Sequence, residues 1–458
     1  MRYVSTRGAA PTLDFAGATL AGLASDGGLY VPDEWPTLSA DEIGALAGLS
    51  YAQTAARILA RFTGATLDEA ELLPLCETAY AGFAHAAVTP LVQLDHRHWL
   101  LELFHGPTLA FKDVALQLLG LLFERFAGAR RLTIIGAISG DTGSAAIDAV
   151  AGRAGLDIFM LHPTGRVTDV QRRQMTTVVA PNVHNIALED ASFDDAQALV
   201  KAMFGDPDLS ARFDLSAVNS INWARLAAQV VYYFYAAVRL GAPERQVAFA
   251  VPTGNFGDVF AGHVAGRMGL PIARLIVATN VNDILARALS TGDYSRRTVV
   301  PTAAPSMDIQ VSSNFERLLH DLDPAAVVDQ MAAFADTGAM RLTDRQRAGA
   351  TQFASERVTP DDMALAMRWA HERGGQVIDP HTAIGLAAAR RSDLPADIPV
   401  VTLATAHPAK FGDAVERATG VRPALPARVG DLFDRPERYV TLPPTLAAVG
   451  DYVRAHGA

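Results

Sequence analysis

The stretch His105-Gly106-Pro107-Thr108-Leu109-Ala110-Phe111-Lys112-Asp113-Val114-Ala115-Leu116-Gln117-Leu118-Leu119-Gly120 carries one of the three lysines in a chain of 458 residues. Of 39 basic residues, Lys112, Lys201 and Lys410 are lysine and the other 36 are arginine. Where a plain surface charge suffices this chain uses Arg, so a Lys inside an apolar run points to a property that Arg lacks. A guanidinium stays protonated, whereas an ammonium withdrawn from water gives up its proton and can form an imine. Gly106-Pro107 breaks the backbone, and Val114, Leu118, Leu121, Leu122 and Phe126 follow at helical spacing. That pattern predicts a buried helix with Lys112 at its N-terminus. The helix dipole there disfavours an ammonium, and Asp113 partly offsets it. From these residues alone, a Lys snorkelling beside a core helix and a chemically used amine are both open.

Working outward, the length suits about three domains. Hydrophobic residues make up 50% and charged ones 19%, which is a globular composition. A net charge of -10 with no compensating basic stretch argues against a nucleic-acid partner. The single cysteine, Cys76, excludes an internal disulfide and suits a reducing compartment. The opening Met1 to Phe15 has no apolar run behind its charges. The most apolar long window, Leu226 to Leu240, contains Gln229 and Arg239 and is too short to span a bilayer. A soluble cytoplasmic protein is expected, with no membrane partner.

Residues 1 to about 90 read as a small, mostly helical unit, with a Gly- and Pro-rich turn at Ser25 to Pro36 and helical patterns at Tyr51 to Phe62 and Ala70 to Phe83. From Trp99 onward strands and helices alternate. Trp99 to Leu103, Leu132 to Ala137, Ile158 to Leu161, Val183 to Leu188, Val247 to Val251, Leu275 to Ala278 and Val400 to Leu403 are short apolar runs, most of them β-branched. Such alternation implies parallel sheets covered by helices on both faces, with ligands beyond the carboxyl ends of the strands. Helical patterns at Pro324 to Phe334 and Pro360 to Arg373 follow, the former near a helical insert. Arg422 to Pro444 is Pro- and Arg-rich and reads as a C-terminal wrap.

Three turns at strand ends are candidates for chemistry. Ser139-Gly140-Asp141-Thr142-Gly143 leads into an Ala-rich helix, where glycines let backbone approach a ligand and free N–H groups suit an anion; plain helix capping is the alternative. Gly254-Asn255-Phe256-Gly257-Asp258 follows a strand and opens a helix, an arrangement in which backbone N–H groups cradle phosphate. It is neither the dinucleotide fingerprint nor the P-loop. Asn219 to Arg225 precedes the long apolar helix, where Ser220 or Asn222 could cap, yet Arg225 has the wrong sign for a first turn and a fork suited to phosphate.

The string from His105 to Asp113 resembles the segment that carries the cofactor lysine in threonine synthases, members of the fold-type II pyridoxal phosphate (PLP) enzymes. The Asp26 to Pro32 string resembles the amino-terminal domain of the bacterial and fungal type. The resemblance covers essentially the whole chain. It implies an α/β, tryptophan synthase β-like fold: two parallel-sheet subdomains with helices on both faces, plus a small, mostly helical N-terminal domain. The division expected is 1–90, a catalytic region at 91–420, and a tail at 421–458. It further implies that Lys112 holds PLP and is catalytic, that Gly254, Asn255, Phe256, Gly257 and Asp258 grip the PLP phosphate, and that Thr405 meets the pyridine nitrogen. Ser139, Asp141, Thr142 and Gly143 would receive the substrate α-carboxylate, and Asn222 and Arg225 the substrate phosphate. The segment Met307 to Arg317 also looks like the family but is assigned no role, and His407 and Lys410 are read as structural. No metal is called for. The activity implied is conversion of O-phospho-L-homoserine and water to L-threonine and phosphate, by a monomer. A phospho-lyase or dehydratase giving 2-oxobutyrate and ammonia is the nearest alternative. A dinucleotide-dependent oxidoreductase lacks its fingerprint.

Overall fold

A computed structural model describes residues 1–137, 140–165, 167–216 and 218–457, so Ser139 lies outside the described residues. The strand Val247–Pro252 shows how the larger sheet is built. Val247, Phe249 and Val251 face one apolar cluster, while Ala248 and Ala250 face another. This is the period-two alternation of a strand covered on both faces. On the alanine face the helix Pro380–Arg391 approaches so closely that a Cβ on Gly385 would lie 3.0 Å from Pro252 and Thr402.

The larger sheet has six strands in the order Phe353–Arg357, Ile272–Thr279, Val247–Pro252, Val400–Ala404, His98–Glu102 and Leu91–Gln93. All neighbours are parallel except the last pair. The smaller sheet is parallel throughout, in the order Val440–Leu442, Val183–Leu188, Leu156–Pro163, Leu132–Ala137 and Asp214–Ser216. The alternation implied parallel sheets and the resemblance two of them, and both are present. The expected strand Trp99 to Leu103 runs His98–Glu102, and the expected helix to Phe83 stops at Tyr80. The pattern at Pro324 to Phe334 resolves into a 3-10 turn, Pro324–Ala326, and a helix, Val327–Thr337.

The N-terminal stretch contains the expected helices Tyr51–Thr63 and Glu69–Tyr80, each opened by a capping box. It also holds an antiparallel pair, Tyr3–Ser5 with Tyr30–Pro32. Its core is not its own. Tyr3, Phe15 and Phe62 share one cluster with Trp223, and the Tyr3 hydroxyl donates to the Phe62 carbonyl at 2.8 Å while accepting from Trp223 Nε1 at 3.0 Å. The C-terminal stretch also packs into the body of the fold. Val440–Leu442 adds an edge strand to Val183–Leu188, and the helix Leu446–His456 buries Val449 and Val453 against Phe159, Leu161 and Ile186. Among the described residues no helix is long and apolar enough to cross a membrane.

Candidate active site

Three adjacent parallel strands, Val247–Pro252, Val400–Ala404 and His98–Glu102, end at one edge of the larger sheet. Their loops carry Gly254 to Asp258, Thr405 to Lys410 and the Lys112 segment. Lys112 is the first residue of the helix Lys112–Ala127, as the spacing predicts. The turn before it is held by Asp113, which accepts from Thr108 N at 2.9 Å and from Thr108 Oγ1 at 2.6 Å. A Cβ on Gly106 would collide with the Asp113 side chain, so Gly is needed there for packing. Leu109 takes φ +63, a left-handed conformation unusual for a branched side chain and one that the surrounding contacts must hold in place. The Phe111 N–H donates to the Thr405 carbonyl at 2.8 Å, bringing the Thr405 strand end beside Lys112.

The Lys112 amine is buried, 3.7 Å from Asp141 Oδ2 and 4.6 Å from the centre of the Phe111 ring. Burial is the main cause that pulls its pKa down to about 8; Asp141 opposes this, and the cations of Arg225 and Lys410 reinforce it. Such an amine is partly neutral near physiological pH and able to attack an aldehyde. Asp113, also buried, has its carboxyl pushed up to about 7, chiefly by burial.

The Gly254 to Asp258 turn has the geometry of an anion cradle. Phe256 takes φ +62 and caps the helix Gly257–Arg267, whose first N–H groups have no intrahelical acceptor. The carbonyls of Gly254 and Asn255 are occupied by Ser312 Oγ at 2.7 Å and Asn314 N at 3.0 Å. A Cβ on Gly254 would lie 2.6 Å from the Ser306 carbonyl oxygen. Met307 to Arg317, given no role from sequence, thus braces this turn. The Asp258 carboxylate, which would repel an anion, accepts from the hydroxyls of Tyr232 at 2.5 Å and Tyr233 at 2.9 Å. Burial pushes its pKa up to about 6 against those two hydrogen bonds. Only the backbone of Asp258 suits phosphate.

The turn after Leu132–Ala137 is already helical at Gly140, which places Asp141, Thr142 and Gly143 in the first turn of Gly140–Val150. Here the glycines answer to packing: a Cβ on Gly140 would lie 2.6 Å from Gln171 Cβ, and one on Gly143 2.8 Å from Met175 Sδ. The Asp141 side chain is committed elsewhere. Its Oδ1 meets Lys410 Nζ at 2.9 Å and Gln171 Nε2 at 2.9 Å, and its other oxygen faces Lys112. Burial opposes ionisation, but the two ammonium groups and the Lys410 and Gln171 hydrogen bonds hold its carboxyl well below the usual range. A carboxylate repels a carboxylate, so Asp141 could meet a substrate α-carboxylate only through its backbone N–H.

Asn222, expected at the substrate phosphate, caps its helix. Its Oδ1 accepts from Ala224 N at 3.0 Å as the helix cap, and one Nδ2 hydrogen goes to the Thr19 carbonyl at 2.8 Å, so its fully buried side chain serves the fold here. Arg225 is buried one turn on and donates to the neutral Val218 carbonyl at 3.3 Å; burial lowers its pKa to about 10, still cationic at neutral pH. His407 is structural as expected, its Nδ1 accepting from Ala409 N at 3.2 Å. Lys410, read as structural too, joins Asp141 beside Lys112. Sequence offered one signal for it, that lysines are as scarce as they are.

These residues fit PLP: a buried, partly neutral amine for the aldehyde, a helix N-terminus behind a left-handed turn for the phosphate, and a buried hydroxyl-bearing Thr405 next to the amine's own loop.

A family model described as "Threonine synthase N terminus" matches residues 2–80, "Pyridoxal-phosphate dependent enzyme" matches 83–351, and "Threonine synthase, C-terminal" matches 382–453. A threonine synthase of Pseudomonas aeruginosa is 51% identical over 464 residues, covering 100% of this chain and 99% of its own. The crystal structure of PLP-bound threonine synthase from Brucella melitensis superposes with a TM-score of 0.97 at 51% identity, covering 100% of this chain and 99% of that one. The yeast threonine synthase gives a TM-score of 0.94 at 38% identity, with 99% and 98% covered.

Proposed function

The chain belongs to the threonine synthase family, and from that premise we propose the roles of its residues in converting O-phospho-L-homoserine and water to L-threonine and phosphate. It is a PLP-dependent lyase of fold-type II. When bound, PLP supplies an electron sink for negative charge developed on the substrate carbons.

The side chains do the rest. Lys112 would hold the cofactor and, as a free amine, would move protons at the substrate's Cα, Cβ and Cγ. The backbone of Gly254, Asn255, Phe256, Gly257 and Asp258 anchors the cofactor phosphate. Thr405 gives the pyridine nitrogen one neutral hydrogen bond, which does not enforce a protonated ring. Thr142, Gly143 and the Asp141 N–H receive the α-carboxylate at a helix N-terminus. Arg225 supplies the cation for the departing phosphate, and that phosphate can itself take up a proton. The division into 1–90, 91–420 and 421–458, a monomeric state and a cytoplasmic setting complete the reading.

The single observation that carries it is the buried amine of Lys112 beside the Thr405 loop, with its pKa lowered to about 8 mainly by burial. Product analysis tests the outcome of the chemistry. Purified protein given PLP and O-phospho-L-homoserine should release threonine and phosphate in equal amounts; release of 2-oxobutyrate and ammonia in place of threonine would overturn the reading.

A further inference from the structure

The second lysine of the site has no part in the roles above, yet it makes the tightest ion pair there. Lys410 Nζ lies 2.9 Å from Asp141 Oδ1 and donates to the Thr108 carbonyl at 2.7 Å, its side chain wholly withdrawn from solvent. Asp141 turns its other oxygen to Lys112 at 3.7 Å. One carboxylate therefore faces two ammonium groups. The closer is held by a 3-10 turn, Pro408–Phe411, that His407 caps.

A buried carboxylate paired with Lys112 alone would keep that amine protonated, because loss of the proton would leave an unpaired anion in the interior. With Lys410 on its near side, Asp141 is already balanced, and Lys112 can release its proton without stranding a charge. We propose that Lys410 is a positioning residue for Lys112: it pins and neutralises Asp141 so that the Lys112 amine is available in its neutral form. The remaining charged groups are few. Asp113, which follows Lys112 in its own helix, favours the ammonium, whereas Arg225 disfavours it. Asp258, from the Gly257–Arg267 helix, feels the Lys112 charge, and Asp113 feels that of Lys410. Gln171 holds Asp141 from the Asp169–Thr176 helix without charge.

The proposal rests on the reading that Lys112 binds the cofactor. In that step the neutral Lys112 nitrogen bonds to the aldehyde carbon and the aldehyde oxygen leaves as water, so the association rate rises with pH through the pKa of the amine. Apoprotein is mixed with PLP from neutral to alkaline pH and the association rate is followed by absorbance. Lys410→Met should move the midpoint upward by about one unit, roughly tenfold slower association at a fixed pH below it. Lys410→Arg, which keeps the cation, should show little of that shift. Adding Asp141→Asn to Lys410→Met should abolish it, since no anion is left to balance. Asp141→Asn alone should lower the midpoint and carries the test if Lys410→Met does not fold. An unmoved midpoint in folded Lys410→Met or in Asp141→Asn, or an equal upward shift with and without Asp141, overturns the proposal. Wild-type apoprotein that takes up no PLP overturns the Lys112 reading itself, a separate result.

Discussion

Arg225 sits in the first turn of its helix, where the dipole is unfavourable, with a neutral carbonyl as its partner. An anion placed against it would relieve both. Arg225→Ala should lower kcat/KM for O-phospho-L-homoserine by about tenfold or more while leaving bound-PLP absorbance in place; steady-state kinetics that show no loss would remove Arg225 from the site. Asp113 gives a pH prediction with a definite sign. Its folded pKa, about 7, stands above the ordinary carboxyl value of 3.8, mainly because it is buried. The folded state therefore keeps a proton that the unfolded chain has lost, and stability falls as pH rises from the unfolded to the folded value. Melting curves should show Asp113→Asn gaining on the wild type between acid and neutral pH, with no further gain above; a constant difference would contradict this. At this scale Lys112 was legible because lysine is rare here and follows a break. Lys410 was not, since its partner Asp141 is distant in sequence and only the meeting of two loops reveals it. The Gly140 and Gly143 positions were legible as glycines for the wrong reason, as helix-to-helix contact looks the same in sequence as ligand approach.

Short, continuous apolar runs alternating with helices announced the parallel sheets, because burial on both faces demands apolar, β-branched residues throughout a strand. Three-residue strands such as Asp214–Ser216 and Leu91–Gln93 lie at sheet edges, bury little and leave no such pattern. The polar edge strand Phe353–Arg357 was hidden for the same reason. The segment around Asn314 shows a different limit. Arg317 is fully buried and donates to the Tyr30 carbonyl at 3.1 and 3.0 Å, to the Ile221 carbonyl at 2.6 Å and to the Asn314 side chain. One guanidinium thus ties the N-terminal strand pair, the start of the Trp223 helix and the brace of the phosphate turn. Arg317→Ala should cost about 3 kcal/mol or more, each charged hydrogen bond being worth about 1.5–3. Arg317→Lys should recover only part, lacking the fork. A denaturant midpoint unchanged in Arg317→Ala would refute the staple.

Across the whole molecule, the C-terminal stretch joins the two sheets. Arg428 donates to the carbonyls of His105 and Gly106 at 2.7 and 2.8 Å, on the Lys112 segment, while Val440–Leu442 and Leu446–His456 complete the smaller sheet and its core. A chain ending at Gly420 would leave Val183–Leu188 an unpaired edge and strip cover from Phe159, Leu161 and Ile186. It should melt well below the full chain and aggregate on heating; equal melting would show that the stretch is dispensable. The composition, by contrast, allows an unusually direct check of the central claim, since three lysines and the α-amine of Met1 are the amines that can compete for an aldehyde. Protein loaded with PLP is reduced with borohydride, digested, and its peptides weighed. The adduct should sit on Lys112 and vanish in Lys112→Ala together with the visible absorbance, whereas an adduct on Lys410 or Lys201, or none at all, would contradict it.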